Sequence, residues 1–287
     1  MNPTRCGAAM FKDIDLLVDC DDLPKVMELF AEDYTCISDL NLPLKYIILY
    51  SDHLIYKNRT TNVIVEVHWK LVAYNHLVPG FAEAARRRIT CIDVAGTELN
   101  MMSFHDHLFY CLLHGINHHW FRLFWLADIA EFCRKDEFAL SKLLELGEKY
   151  GLSAPLDAGL LLCNQLFSVP PLEKSRKAHL LKDRTVKRLY AMFLAQIAAG
   201  EITVTPGSSY IKQMKQKAGL IYRELLLKKD FRYITEVINR HCITSSDIAM
   251  LPLPPGLFFL YYPLHFILAT VRWCDRNQKI IKNHAVS

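Results

Sequence analysis

The segment "FKDIDLLV", residues 11–18, decides the fold, because it combines an apolar strand pattern with two carboxylates. Side chains alternate between the two faces of a strand, so Asp13 and Asp15 point the same way. The apolar residues that alternate with them point toward the expected core. Two carboxylates on one face repel each other unless a cation lies between them, and hard oxygen ligands suit Mg²⁺ or Mn²⁺. The segment therefore predicts a strand that carries part of a divalent-metal site.

A second segment, "NVIVEVHWK" at residues 62–70, repeats the pattern. Alternation places Glu66 and His68 on one face and the valines on the other. Antiparallel pairing with the first strand would let Asp13, Asp15 and Glu66 converge on two metal ions about 3.5–4 Å apart, the spacing of two-metal sites. His68 faces the same way, where it could support a metal-bound carboxylate through a hydrogen bond.

The first hundred residues mix strand and helix periodicities. "DDLPKVMELFAEDY" at 21–34 predicts a helix, with an aspartate N-cap and a proline in the first turn. The segment 46–71 predicts antiparallel strands that turn at "KNRTTN", and 89–96 predicts a further short strand. Together these patterns indicate a small mixed or antiparallel sheet with helices.

From Ser103 onward, apolar residues recur at three- and four-residue steps, which predicts helices with a break or bend near Gly115. Further helices are predicted at 137–150, 153–167, 180–199, 208–228 and 231–241. The expected fold class is therefore α+β. The expected domains are a catalytic core at 1–100 and a mostly helical region at 101–287.

The composition is that of a globular protein with a substantial core, since 52% of the 287 residues are apolar and 22% are charged. Nine cysteines, an odd number with no C-x-x-C pair, predict reduced thiols in the cytoplasm. Residues 248–271 contain no Asp, Glu, Lys or Arg, but four prolines interrupt them. We therefore expect a buried C-terminal helix there and no transmembrane span.

Charge is unevenly distributed along the chain. Residues 173–232 contain fourteen Lys or Arg against five Asp or Glu, while the whole chain carries only +4. This asymmetry is typical either of a surface that binds an anionic partner or of a solvated helix face.

His114 and His118 lie one helical turn apart, so their rings face the same way. A zinc site needs further ligands, and Asp128, ten residues after His118, would not share that face on one unbroken helix. A metal site, a contact with substrate and a structural role all remain open for these residues.

"KDIDLLV", "VEVHW" and the helical pattern that runs from His114 to Asp128 resemble a bacterial family of uncharacterised nucleotidyltransferases. That family lies within the superfamily built on the DNA polymerase β-like core, and the resemblance covers residues 5–135. It implies Mg²⁺ or Mn²⁺ as cofactor and an NTP as substrate. It implies catalytic metal ligands at Asp13, Asp15 and Glu66, and substrate-binding residues at Lys12, His68, His114, His118 and Asp128.

The activity implied by the resemblance is transfer of an NMP unit from an NTP to an unknown acceptor hydroxyl. Members of the superfamily carry a Gly-Ser or Lys-Gly turn ahead of the D-x-D strand. The twelve residues before Asp13 contain neither pair, so we expect a core that is incomplete at its N-terminus. The alternative is a catalytically degenerate module of the same fold that binds nucleotide, RNA or a protein.

Overall fold

The computed structural model describes residues 13–38, 43–200 and 209–285. Its contacts divide the chain into two compact units. One unit extends through Ala73 and includes Thr244–Pro252, and the other comprises Tyr74–Ile243 with the residues from Leu253 onward. The α+β class is confirmed, with a small mixed sheet and a helical C-terminal region. The domain boundary predicted at residue 100 is the end of a catalytic core, which is a different property from these contact-defined units. That boundary stays a prediction.

The secondary-structure elements follow one another with short connections. The strands in the described ranges are β1 (Asp13–Leu17), β2 (Tyr34–Cys36), β3 (His53–Asn58), β4 (Ile64–His68), β5 (Ile89–Val94) and β6 (Thr97–Met102). The α-helices there are α1 (Leu23–Phe30), α2 (Leu44–Tyr50), α3 (Phe81–Arg86), α4 (Phe104–Asn117), α5 (Leu123–Cys133), α6 (Leu140–Lys149), α7 (Ser153–Phe167), α8 (Lys174–Lys182), α9 (Arg184–Ala199), α10 (Tyr210–Leu225), α11 (Phe231–Cys242), α12 (Ser245–Met250) and α13 (Tyr261–Ala285).

The first unit is built on a four-stranded sheet with the order β1-β4-β3-β2. β1 runs parallel to β4, whereas the other pairs are antiparallel, so the sheet is mixed. The hairpin predicted at "KNRTTN" is confirmed between β3 and β4. Residues 46–50 were expected in a strand, but they belong to helix α2, which begins after Pro43. A short apolar run is compatible with a strand or a helix. Here the run forms a helix, and its Ile47 side chain is buried in the core.

The core of this unit lies on one face of the sheet, where Leu54 and Tyr56 of β3 join Val65 and Val67 of β4. Leu23 of α1 and Ile47 of α2 belong to the same cluster, so the helices cover this face. The other face carries the alternate side chains of the strands, which include Asp13, Asp15, Glu66 and His68.

Ile14 and Leu16 were expected in the core, and this expectation is wrong for the described part of the chain. They are paired with Val65 and Val67 of the core, yet they are 52% and 39% exposed. The reason is that β1 is an edge strand of the sheet, so its side chains have neighbours on one side only.

The second unit contains, after helix α3, a β-hairpin that was only half predicted. β5 confirms the strand expected at 89–96, while its partner β6 was missed because "TELNMM" lacks a clear alternation. Ala95 and Gly96 adopt left-handed φ values of 54° and 84°. Two such residues form the tight turn that matches the twist of a hairpin.

The break predicted near Gly115 is confirmed, since α4 ends at Asn117 and α5 begins at Leu123. His119 and Trp120 adopt left-handed φ values of 52° and 57° between the two helices. The indole of Trp120 then folds back onto Gly115, where any Cβ would overlap the ring. Glycine is therefore required at this position.

The helix expected at 180–199 is interrupted, and α8 and α9 meet at Asp183. The Asp183 carboxylate accepts hydrogen bonds from the backbone N–H groups of Thr185 and Val186, at 2.7 and 2.9 Å. It is the N-cap of α9, and an N-cap residue leaves the helical conformation, so one predicted helix becomes two.

Helical periodicity in 210–225 would place Ile211, Met214 and Leu225 on the buried side of α10 and Arg223 outside it. In the structure Ile211 is 67% exposed, whereas Arg223 is half-buried and donates to the Gln196 side chain. The buried side is instead polar. Lys217 Nζ lies 3.1 Å from the carbonyl oxygen of His241, and Glu224 Oε2 lies 2.6 Å from its Nε2. These hydrogen bonds offset the cost of burying polar groups.

The expected buried helix at the C-terminus is not buried. Within the described residues, Gly256–Cys274 is the one helical segment that is long and apolar enough to cross a membrane, and only 17% of it is buried. Phe266 and Ile267 of α13 are more than half exposed, whereas the polar His265 is buried. Tyr261 and Leu268 are buried as well, so α13 packs through one face that carries both apolar and polar side chains.

Candidate functional site

The predicted acidic residues lie on the face of the sheet opposite the core. In the parallel pairing of β1 with β4, Asp15 lies opposite Glu66, and Asp13 lies opposite Ile64. The pairing is parallel, not antiparallel as expected, and β3 pairs antiparallel with the other edge of β4 in the hairpin. The strand direction does not change which side chains share a face, so alternation still brings Asp15 and Glu66 together.

His68 lies between these two carboxylates. Its Nε2 atom is 3.3 Å from Asp15 Oδ1 and 3.2 Å from Glu66 Oε2. The Asp15 side chain is 53% exposed, while the His68 side chain is only 14% exposed. An accessible carboxylate is therefore held by a largely buried imidazole.

The electrostatics of the three groups are coupled. Burial disfavours the charged imidazole of His68, but hydrogen bonds with Asp15 and Glu66 outweigh it and raise its pKa to about 9. The hydrogen bond from His68 in turn lowers the pKa of Glu66 against the opposing effect of burial. Near neutral pH the cluster contains a cationic imidazole between two anionic carboxylates.

Strand β3 adds His53, which the sequence reasoning missed. It lies opposite His68 in the antiparallel pairing, with the ring centroids 4.8 Å apart. Its Nε2 is 3.9 Å from Glu66 Oε2, and its Nδ1 is 3.6 Å from Asp52 Oδ1. The sequence contained a signal for this residue, because pairing the two strands of the predicted hairpin places the segment "SDHL" opposite His68.

The neighbouring backbone fixes the position of the Asp52 segment. The backbone N–H of Trp69 donates to the Asp52 carbonyl at 3.0 Å. Lys70 Nζ lies 2.9–3.2 Å from the carbonyl oxygens of Ile48, Leu49 and Ser51 at the end of α2. A cation at the C-terminus of a helix is favourable, so Lys70 both stabilises α2 and anchors the loop before His53.

Two groups of side chains within the described part of the chain could hold a metal ion. We call Asp15 and Glu66 with His68 the acidic group, and Asp52, His53 and His68 the histidine group; within each, the ligand atoms lie within 4.8 Å of one another. Asp13 shares the face but belongs to neither group. The Nδ1 atoms of His53 and His68 are buried without a hydrogen-bond partner. Carboxylates and unpartnered imidazole nitrogens fit a divalent cation.

His114, His118 and Asp128 belong to neither of these groups. The rings of His114 and His118 are 4.6 Å apart, and both contact the Trp125 ring, at 4.8 and 5.4 Å. Asp128 is exposed on α5, and these three residues belong to the second unit. Lys12 lies outside the described residues. The catalytic and binding roles of all the predicted residues stay predictions.

Comparison with known proteins identifies a family for this chain. A family described as uncharacterised nucleotidyltransferase matches residues 6–168, which is more than half of the chain and includes every predicted site residue. No match is found among curated proteins or among solved structures. On the extent of the family match, the chain belongs to this family of uncharacterised nucleotidyltransferases.

Proposed function

We propose that the protein is a metal-dependent nucleotidyltransferase that transfers an NMP unit from an NTP to an acceptor hydroxyl. One observation carries the proposal: Asp15 and Glu66 lie in register on the open face of the sheet, within reach of a common ligand. The family match supports the general reaction class. The metal and the substrate are the parts that we add.

Asp15 and Glu66 would hold the divalent ion, Mg²⁺ or Mn²⁺, with Asp13 on the same face as a further ligand. An ion bound there would offset the charge of the triphosphate and of the pyrophosphate leaving group. Glu66 stays ionised near neutral pH because the His68 hydrogen bond lowers its pKa, so its carboxylate is available to orient the attacking hydroxyl.

His68 is proposed as a positioning residue. Its Nε2 is within hydrogen-bond distance of both carboxylates, and its side chain is almost enclosed. Through these contacts it holds Asp15 and Glu66 at a fixed separation before substrate arrives. Preorganised charges of this kind stabilise a transition state without a reorganisation cost during the reaction.

Substrate contacts are proposed for four further residues. Lys12 precedes the acidic strand and offers a cation for phosphate oxygens. His114 and His118 contact the Trp125 ring and offer planar groups for a nucleobase, while Asp128 offers an acceptor. We propose the cytoplasm as the location of the reaction, on the sequence argument from reduced cysteines. The acceptor is left as a hydroxyl of unspecified chemistry.

The reaction is tested by incubating the purified protein with each α-labelled NTP and Mg²⁺ or Mn²⁺, with a cell extract as the source of acceptors. We expect pyrophosphate release and transfer of label in the parent protein. Asp15→Asn should abolish both, because a neutral amide is a poor ligand for a hard cation. Glu98→Gln, an exposed carboxylate on β6, is the matched control and should retain both.

The alternative function gives a different result in the same experiment. A catalytically degenerate module would bind the NTP, detected as a rise in the thermal midpoint, without releasing pyrophosphate with any NTP or metal. Binding without release would overturn the transferase proposal and leave the nucleotide-binding role. Equal release by the parent and Asp15→Asn would show that the acidic group is not the catalytic centre.

A further inference from the structure

We infer that the histidine group, Asp52, His53 and His68, is a binding site for a transition-metal ion of the zinc class. This site is separate from the Mg²⁺ or Mn²⁺ site that we propose at the two carboxylates of the acidic group. The two groups share His68. The inference does not depend on catalysis, because its test measures metal binding alone.

The arrangement of the side chains supports the site. Asp52 Oδ1 and His53 Nδ1 are 3.6 Å apart. Two ligands of one tetrahedral zinc ion are about 3.4 Å apart when each lies about 2.1 Å from the metal. The ligand atoms of all three residues lie within 4.8 Å of one another. Side-chain rotations that move these atoms by about 1 Å would bring them to the spacing of tetrahedral ligands.

The unused nitrogen atoms point to the same ligand. The Nδ1 atoms of His53 and His68 are both buried and have no hydrogen-bond partner. A buried polar atom without a partner is costly, and an ion that accepts its lone pair removes that cost. Imidazole nitrogen suits Zn²⁺, Co²⁺ or Ni²⁺ far better than Mg²⁺, which prefers oxygen.

The second nitrogen of His68 completes the pattern. Its Nε2 lies 3.2 Å from Glu66 Oε2 and 3.3 Å from Asp15 Oδ1. A histidine that binds a metal through one nitrogen usually donates its other N–H to a carboxylate, which fixes the ring and the tautomer. Glu66 and Asp15 are placed to do this for His68, which leaves Nδ1 for the ion. The carboxylates of the acidic group therefore orient a ligand of the histidine group.

The backbone around the site is already ordered for binding. The Asp52 carbonyl accepts from the backbone N–H groups of Trp69 and Lys70, at 3.0 and 3.4 Å. His53 and His68 lie opposite each other on adjacent strands. All three ligands are therefore held by the β3–β4 hairpin, so metal binding needs rotation of side chains and no change of backbone.

The test is a calorimetric titration of the full chain with Zn²⁺ and separately with Mg²⁺ at pH 8. A slightly basic pH is used because a histidine binds the ion only through a deprotonated nitrogen. The exposed thiols of Cys91 and Cys274 are alkylated first, since thiolates also bind zinc. We expect one Zn²⁺ equivalent that a large excess of Mg²⁺ does not displace.

His53→Gln should remove this equivalent or weaken it by more than about 100-fold, beyond the 10–100-fold that loss of an outer partner costs. Asp52→Asn is the second ligand variant and should behave in the same way. His179→Gln, an exposed histidine on α8, is the matched control and should bind as the parent does. Thermal midpoints without metal show whether each variant is folded.

Unchanged Zn²⁺ affinity in folded His53→Gln and Asp52→Asn would overturn the inference, and so would displacement of Zn²⁺ by equimolar Mg²⁺. Pyrophosphate release in Mg²⁺ is measured on the same samples. If a variant loses Zn²⁺ binding but still releases pyrophosphate, the two sites are separate. If the parent protein releases no pyrophosphate, the proposed function is wrong, and the zinc titration still tests the histidine group.

Discussion

Asp15 and Glu66 occupy opposing positions in the parallel pairing of β1 with β4, on the face of the sheet that the core leaves open. Opposing carboxylates on adjacent strands repel each other, so this pair exists at a cost unless a cation offsets it. His68 supplies one cation from within the chain. A divalent ion would supply another, and the two possibilities lead to separate experiments.

The first prediction concerns ligand binding. A saturating Mg²⁺–NTP complex should stabilise the parent protein, by about 2.7 kcal/mol when the ligand is at 100 times its Kd. Asp15→Asn and Glu66→Gln should each lose this gain, since both carboxylates contribute ligands. The thermal midpoint with and without ligand is the measurement. Glu98→Gln should keep the full gain, and an equal gain in Asp15→Asn would make the acidic group structural.

The second prediction concerns His68→Phe, which keeps a ring but removes the charge and both donors. Without metal, the free energy of unfolding should fall by about 2 kcal/mol, the range for hydrogen bonds to charged groups. Added Mg²⁺ should recover part of that loss, because it neutralises the same two carboxylates. Urea unfolding in EDTA and then in Mg²⁺ tests this, and absence of recovery would separate Mg²⁺ from the acidic group.

The third prediction concerns Asp106, which is buried and accepts two hydrogen bonds from Arg88, at 2.9 and 2.7 Å, and one from Ser103 at 2.7 Å. Arg88→Met should cost about 3 kcal/mol of stability, because it leaves a buried carboxylate without its cation. Asp106→Asn should cost less, since the Arg88 side chain is 46% exposed and can be hydrated. Denaturant midpoints compare the two, and the reverse order would refute the argument.

The fourth prediction concerns pH. Burial chiefly lowers the pKa of His119 to about 4, against 6.5 for an ordinary histidine. Between these two pH values, His119 binds a proton in the unfolded chain but stays neutral in the folded chain. The free energy of unfolding should therefore fall by about 3 kcal/mol as the pH falls from 6.5 to 4. His119→Asn tolerates the left-handed backbone and should flatten this slope, measured by urea unfolding at each pH. His179→Gln should leave the slope unchanged.

The fifth prediction concerns the basic region 173–232, which we propose as a surface for an anionic partner. Arg188 lies over the Tyr222 ring, at 5.1 Å, which links α9 to α10. The exposed Lys187, Lys212 and Lys215 on these helices are the residues to reverse. Arg223 is excluded because it is engaged with Gln196.

Reversing those three lysines to Glu should weaken binding of a single-stranded RNA oligonucleotide at low salt. The salt dependence should also fall, by roughly 0.7 in slope for each lost phosphate contact. Stability should change little, because exposed charges contribute little to folding. Lys142→Glu with Lys149→Glu on α6 is the control. Equal affinity in the reversed variant would mean that the basic region is only solvated surface.

Sequence alone determined which side chains share a face. The period of two in 13–17 and 64–68 separates Asp15, Glu66 and His68 from the core residues Val65 and Val67, whatever the direction of pairing. The hairpin at "KNRTTN" and the break near Gly115 were also readable, because both depend on residues close in the chain. Local periodicity and turn chemistry act over a few residues, so a sequence states them directly.

Tertiary structure decided what depends on distant partners. β1 is an edge strand parallel to β4, so Ile14 is exposed although its pattern suits a core. His53 joins the site only through the register of the hairpin, and the buried side of α10 is polar because α11 supplies partners for Glu224. A short-range pattern specifies which faces an element has, whereas burial depends on which other element covers each face, and that is settled only when the whole chain packs.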